Sequence, residues 1–382
     1  MTRETELRRG LRYCLWVFLG VRIAVSLLSV VGIGLIPLHK AGVDIPGWPT
    51  PVITPGWHNA FAALERQDAL WFFRIADSGY HAGDEGAAFF PLYPLLVRAV
   101  SLLTGGSMLA AGILVSNISF LGALLVLHSL TALEFSEGHA RTTVLLVAIF
   151  PTSFFFLAPY SESTFLLLSV TAFWCARRDR WALAALAAAL AAMTRSIGIV
   201  LAPALLVEAF QQHREAGVPL LPRAAAAVAT LVGPLLYFLY WIVAFDDGLA
   251  PLQAQRTWQR VATFPLRTLT DGLWAAYTYE GVWLIDALVV GVVLVCAVIS
   301  WWRLRPGYAV YAAASLLVPL AYPFPSRPLL SVPRFVAVIF PSFWILADLA
   351  ERRRLPRTAL VAAFAGGLSL LTVLFVNWYD IF

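Results

Sequence analysis

The densest polar cluster in the chain reads Gln67-Asp68-Ala69-Leu70-Trp71-Phe72-Phe73-Arg74-Ile75-Ala76-Asp77-Ser78-Gly79-Tyr80-His81. Two carboxylates, Asp68 and Asp77, are interleaved there with aromatic rings. A carboxylate can take the proton of a hydroxyl, and aromatic rings stack on sugar faces, so the combination suits carbohydrate chemistry. An amphipathic helix lying on a membrane with solvated acids would carry the same residues. Asp68, Asp77, Asp84 and Glu85 also offer oxygen ligands of the kind a divalent ion takes. Glu162, in Pro-Tyr-Ser-Glu-Ser, sits at the mouth of an apolar stretch. There it is either a functional carboxylate or an acid in a first helical turn.

The elements that must hold these groups are membrane helices. Of 382 residues, 60% are hydrophobic and only 13% are charged. A soluble domain carries roughly 25% charged residues, so this chain cannot make a wetted surface and lipid must cover most of it. The net charge of +5 comes from arginines spread over loops, which fits cytoplasmic retention and not a nucleic-acid stripe. The three cysteines, Cys14, Cys175 and Cys296, have no regular spacing and read as small buried hydrophobes. Asn117-Ile118-Ser119 matches a glycosylation pattern but falls inside an apolar stretch. The first apolar run lacks a small-residue cleavage site and reads as an uncleaved span.

Apolar segments are expected to cross the membrane at 11–36, 108–133, 141–158, 160–176, 181–194, 196–210, 224–245, 281–301, 307–322, 335–350 and 358–377. The stretch 89–104 holds Pro91, Pro94 and Arg98 and reads as interfacial or re-entrant. With that assignment the basic clusters at the N-terminus, 177–180, 213–223, 303–305 and 352–357 all fall on the cytoplasmic side. The C-terminus and two long loops then lie outside. The first extracytoplasmic loop, 37–106, contains interfacial segments; the second spans 246–280. A third outer stretch, 323–334, is rich in proline. In the first loop the spacing predicts a helix over 69–76, ended by Gly79. The alanines of 182–192 suit close helix packing. Arg22 lies deep in the first span and is expected to pair with a buried acid or reach a lipid headgroup.

The residues from Gln67 to Tyr80, followed by Ala88-Phe89-Phe90-Pro91-Leu92-Tyr93-Pro94-Leu95, resemble the PIG-V family of GPI mannosyltransferase II proteins and their bacterial relatives, within the GT-C superfamily. That family's pattern runs Trp-Asp-Ala, an aromatic pair, Ile-Ala, an acid and Gly-Tyr, then Phe-Phe-Pro and a second proline. Here Gln67 stands in the Trp position, and Trp71 or Phe72 where His is often found. Pro159-Tyr160-Ser161-Glu162-Ser163, Thr194-Arg195-Ser196, Gln255-Arg256-Thr257-Trp258-Gln259-Arg260 and Ser331-Val332-Pro333-Arg334-Phe335 extend the resemblance along most of the chain.

The resemblance implies an all-α polytopic membrane protein: one GT-C-type bundle of about eleven transmembrane helices. It implies an inverting mannosyltransferase of the cell membrane that uses a polyprenyl-phosphate-linked sugar and a lipid or glycan acceptor on the extracytoplasmic face. No metal or other cofactor is implied. The family's first-loop aspartate falls on Asp68, expected as the base, with Asp77 as a supporting or substrate-orienting acid. Arg195, Arg256, Arg260 and Arg334 lie on the outer side and are expected to hold the donor phosphate, because guanidinium forks match phosphate oxygens. Trp71, Tyr80, His81, Tyr93, Glu162 and Trp258 are the expected substrate contacts. The rival function is a transporter or flippase of a lipid-linked sugar. Broken mid-membrane helices would favour it, and the short pair at 181–210 is the one feature of that kind.

Overall fold

The computed structural model of the protein describes residues 3–40, 42–83, 85–352 and 354–381, with side chains from residue 8. Among them α-helices run in the order α1 (Arg3–Leu35), α2 (Asp68–Ser78), α3 (Leu92–Ser101), α4 (Met108–Glu134), α5 (Glu137–Ala148), α6 (Glu162–Arg177), α7 (Trp181–Thr194), α8 (Leu201–Ala216) and α9 (Leu220–Val228). They continue as α10 (Val232–Phe245), α11 (Ala250–Thr257), α12 (Pro265–Tyr279), α13 (Gly281–Arg303), α14 (Pro306–Ala321), α15 (Val332–Val336), α16 (Phe340–Glu351) and α17 (Arg357–Val376). The described residues form no strand beyond two isolated bridges.

Five helical runs are long and apolar enough to cross a membrane: Arg8–Leu35, Met108–Glu134, Leu220–Phe245, Gly281–Arg303 and Arg357–Val376. Each lies on an expected span. Helix α3 has 10 residues, about 15 Å of length, short of the roughly 30 Å hydrocarbon core of a bilayer. Two expected spans are interrupted by non-helical residues. The stretch 141–158 breaks after Ala148 and resumes as a 3-10 turn at Ser153–Phe156, because Pro151 offers no N–H to continue the ladder. The stretch 335–350 is α15 and α16 with a break before Pro341.

The chain divides into two compact units that interleave in sequence. The first holds the N-terminal stretch through Gly79, then Tyr93–Val170 and Leu346–Ile381. In it α1 packs on α4, α5 and α17. The start of α4 is capped by the Ser107 hydroxyl, which accepts from the Ala110 N–H at 3.2 Å. Among the described residues Arg22 finds no acid. Its Nη2 donates to the Ala60 carbonyl at 2.8 Å and its Nη1 to Leu157 at 3.3 Å, and the guanidinium lies 4.5 Å over the Phe61 ring. A guanidinium has five N–H donors in a fixed fork; backbone carbonyls and a ring take part of it, where a buried acid or a lipid headgroup was expected, and Nε has no partner among the described residues. Asn117 also bonds inside the unit, to the carbonyls of Ile113 and Leu157.

The second unit holds Tyr80–Leu92 and Thr171–Ile345. The alanine-rich α7 packs on α9 and α10. Its approach is close enough that a Cβ on Gly233 would stand 2.2 Å from the Ala189 carbonyl oxygen, so only glycine fits there. Helix α8 packs on α14, and Glu208, fully buried on α8, takes Arg305 from two nitrogens and Arg177 from one, each near 3.2 Å. Arg327 donates to Asp286 at 2.5 Å and lies over Trp283, pinning the proline-rich 323–334 stretch to α13.

Candidate functional site

Helix α2 carries Asp68 as its first residue. A carboxylate there is favoured by the positive end of the helix dipole. Every residue from Ala69 to Ala76 is buried, and Asp68 itself is half-buried. The helix is seated through Phe73, which lies so close to Gly112 of α4 that a Cβ there would meet the ring at 2.7 Å. Phe72 adds edge-on contacts to Tyr93 and Tyr160, at 4.9 and 6.3 Å between centroids. At the far end Arg98 caps the helix, donating to the carbonyls of Ala76 and Asp77 at 2.8 and 2.6 Å.

Asp77 does not join Asp68. It sits nine residues along the same helix, which is about 13 Å of rise and half a turn of rotation. It is exposed at the C-terminal end, where a negative charge opposes the dipole. It therefore does not stand beside Asp68 as a supporting acid.

The turn into α2 is strained. Gln67 has φ 53° and ψ −120°, the values of the first central residue of a type II′ turn, where glycine is favoured. Such a conformation costs about 1–3 kcal/mol for a residue with a Cβ. The surroundings enforce it. The Arg66 carbonyl accepts from the Ala69 N–H at 3.1 Å and from the Tyr160 hydroxyl at 2.8 Å. The Arg66 guanidinium, only 1% exposed, donates from Nε to the Val376 carbonyl and from Nη1 to Glu65, and stacks on Trp378. Burial lowers its pKa to about 10. Arg66 escaped the sequence reading because a basic residue in a loop gives no sign of being enclosed.

Most of the expected substrate contacts hold the scaffold instead. Tyr93 is fully buried, with its hydroxyl 2.8 Å from Ser116 Oγ and 3.2 Å from the Gly112 carbonyl. Trp71 is buried too, under the Arg74 guanidinium at 5.2 Å. The Tyr93 ring is covered by protein and presents no open face to a sugar. Tyr80 donates to the Phe89 carbonyl at 2.6 Å and packs against Tyr237, Tyr240 and Trp241. Trp258 donates to the Glu85 carbonyl at 3.3 Å and meets Phe89 edge-on. Both hold the 85–89 segment in place. His81 is exposed, and Glu162 is fully buried in the first turn of α6. Among the described residues no three of His, Cys, Asp and Glu gather as a metal site, and Asp84 lies outside those residues. The three cysteines are free and buried. A cavity of about 680 Å³ in the first unit, lined by Thr142, Glu351 and Arg357 among others, includes none of the expected site residues.

In the second unit three of the four expected phosphate ligands converge on one ring. The guanidinium carbons of Arg195, Arg334 and Arg260 lie 4.9, 5.1 and 5.6 Å from the centroid of Phe335. Each is set by a break in helical structure. Arg195 is extended between α7 and a 3-10 turn, with φ −154° and ψ 145°. Arg334 lies in the five-residue α15, launched by Ser331 at φ 67°. Arg260 follows Gln259 at φ 56°, donates to the Tyr322 carbonyl at 3.1 Å and also stacks on Phe324. Arg256, exposed on α11, does not make this contact. Phe335 stood at the end of a noted motif, yet nothing in its neighbourhood marked it as the shared ring.

Residues 15–248 match the family model described as mannosyltransferase (PIG-V). A mouse GPI alpha-1,6-mannosyltransferase 2 is 32% identical over 182 residues, 44% of this chain and 36% of that protein. A GPI mannosyltransferase 2 from Drosophila melanogaster is 30% identical over 169 residues, 38% of this chain and again 36% of the relative. The matched stretch thus spans about a third of either relative. Among solved structures, ArnT from Cupriavidus metallidurans bound to undecaprenyl phosphate aligns with a TM-score of 0.52 at 18% identity, covering 94% of this chain and 63% of that one. That likeness shows a shared GT-C membrane fold, and the family match covers more than half of the chain. The chain belongs to the PIG-V mannosyltransferase family.

Proposed function

We propose that the protein is an inverting mannosyltransferase of the cell membrane, moving mannose from a polyprenyl-phosphate carrier to a hydroxyl acceptor on the extracytoplasmic face. The observation that carries this reading is the gathering of Arg195, Arg260 and Arg334 about Phe335. Like charges gathered on one ring repel, and a phosphate bound among them relieves that repulsion. A phosphate offers oxygens for several guanidinium forks. The undecaprenyl phosphate held by the Cupriavidus neighbour supports a lipid phosphate as the donor class.

In the reaction Asp68 accepts the proton of the acceptor hydroxyl. The acceptor oxygen bonds to the anomeric carbon as the bond from that carbon to the phosphate oxygen breaks, and the electron pair leaves on the phosphate. The phosphate passes from one negative charge toward two. Arginines near it therefore bind the transition state more tightly than the donor, which is the condition for catalysis. The reading keeps a single GT-C-type domain with about eleven crossings, the N-terminus inside, and extracytoplasmic loops at 37–106 and 246–280.

Membranes containing the protein, incubated with labelled polyprenyl-phosphate mannose, should place label on an acceptor. Asp68→Asn, expressed at the normal level, should lose at least about a thousandfold in transfer, as expected for removal of a base and its charge. Full activity in that variant would remove Asp68 as base. Movement of the lipid-linked sugar across the bilayer without a new glycosidic bond would replace transfer by transport.

A further inference from the structure

Gln67 combines two features that rarely meet on one residue. Its backbone holds the strained turn conformation described above, with the Arg66 carbonyl fixed from two sides. Its side chain is 5% exposed, and Nε2 is buried with no hydrogen-bond partner among the described residues. The amide does not cap α2 either, although Gln67 occupies the capping position. Glu280 adopts a similar φ of 53° before α13, but its side chain is exposed and loses no hydrogen bond to water. Backbone strain and an unmatched buried donor both cluster where a ligand is bound. Gln67 precedes Asp68 directly, so their Cα atoms are about 3.8 Å apart.

We propose that the Gln67 carboxamide binds the acceptor, its Nε2–H donating to an acceptor oxygen next to the hydroxyl that gives its proton to Asp68. The acceptor is then a sugar or polyol with neighbouring oxygens, not a lone alcohol. This assignment rests on the reading of Asp68 as base. Two adjacent residues, one donor and one acceptor of hydrogen bonds, match two neighbouring oxygens that differ in role. A site built to donate to such an oxygen discriminates strongly against a molecule lacking it, since the donor is then left unpaired.

The test uses the full chain in membranes, a radiolabelled polyprenyl-phosphate mannose donor, and octyl α-mannoside or octanol as acceptor. The wild type should use octyl mannoside and not octanol. Gln67→Leu should raise the KM for octyl mannoside about tenfold or more, with the donor KM within about twofold and the thermal midpoint unchanged or higher. Gln67→Glu keeps the size and one oxygen but loses the donor, and should raise the same KM. An unchanged acceptor KM in both variants, a rise in donor KM alone, or equal use of octanol by the wild type would overturn the assignment. If Asp68→Asn is inactive while both Gln67 variants behave as wild type, Gln67 falls and the transferase reading stands. Wild-type membranes that transfer no mannose to either acceptor would remove the reading and Gln67 with it.

Discussion

Two groups of arginines in the second unit handle their charge in opposite ways. Around Glu208, Arg177 and Arg305 share one buried carboxylate, and Arg305 reaches a second at Glu215, 2.9 Å away. Two cations meet two anions there. Around Phe335, Arg195, Arg260 and Arg334 share a neutral ring. A carboxylate pairs the charge of a guanidinium; a ring face orients it. The first arrangement suits a clamp between helices α8 and α14, the second a receptor for an anion. If this contrast is right, mutations at the first group should cost stability and mutations at the second should cost transfer.

The largest effect is expected at Glu208. Replacing it by Ala leaves two guanidiniums beside an empty, buried position, and breaking one side of a buried pair costs about 3–5 kcal/mol. The thermal midpoint of the detergent-solubilised protein should fall sharply in Glu208→Ala, with Glu208→Gln recovering part of the loss. A midpoint equal to wild type would show that the network contributes nothing to the fold. Next comes Arg195→Ala. Loss of one charge that stabilises the departing phosphate should lower kcat/KM for the donor about 100-fold, or about 2.7 kcal/mol, with little change in midpoint. The pattern reversed, a lost midpoint with normal kcat/KM, would erase the distinction between the two groups. Arg256→Ala sharpens the boundary of the receptor. Its side chain is exposed and outside the Phe335 contact, so its donor kcat/KM should stay within about threefold of wild type. A loss as large as that of Arg195→Ala would return Arg256 to the phosphate site.

The contrast itself was only half legible in the sequence. Long apolar runs announced α4, α13 and α17 to within two residues, since hydropathy over twenty positions outweighs local detail. Helix α2 followed from its spacing and Gly79, but its burial did not. Even the separation of Asp68 from Asp77 was implicit, because nine residues place two side chains on opposite faces of a helix. The internal bonds of the aromatic candidates were not legible for a different reason. Tyr80, Tyr93 and Trp258 each carry a polar atom that must find a partner when buried. Whether that partner is a sugar or the carbonyl of Phe89, Gly112 or Glu85 depends on chain brought in from elsewhere. Arg195, Arg260 and Arg334 were picked out singly, but their shared ring could not be, since 65 and 74 residues separate them.

The smallest effect concerns Glu215, the exposed end of the clamp. Its hydrogen bond from Arg305, and then one from Gln211, hold its carboxyl below the ordinary value near 4.5. A carboxyl depressed in the folded state adds stability above its unfolded value and loses it as pH falls through the folded one. The difference in thermal midpoint between wild type and Glu215→Gln should therefore favour wild type at about pH 6 and shrink on acidification below about pH 4. Because Glu215 is solvated, the gain is under about 1 kcal/mol and should weaken with added salt. Glu208 behaves otherwise in this comparison: enclosed from water, its pairing is screened far less by salt. A Glu215 difference that holds constant from pH 6 to pH 3.5 would mean that the Arg305 contact does not discriminate between the ionised and neutral carboxyl. The clamp would then rest on Glu208 alone.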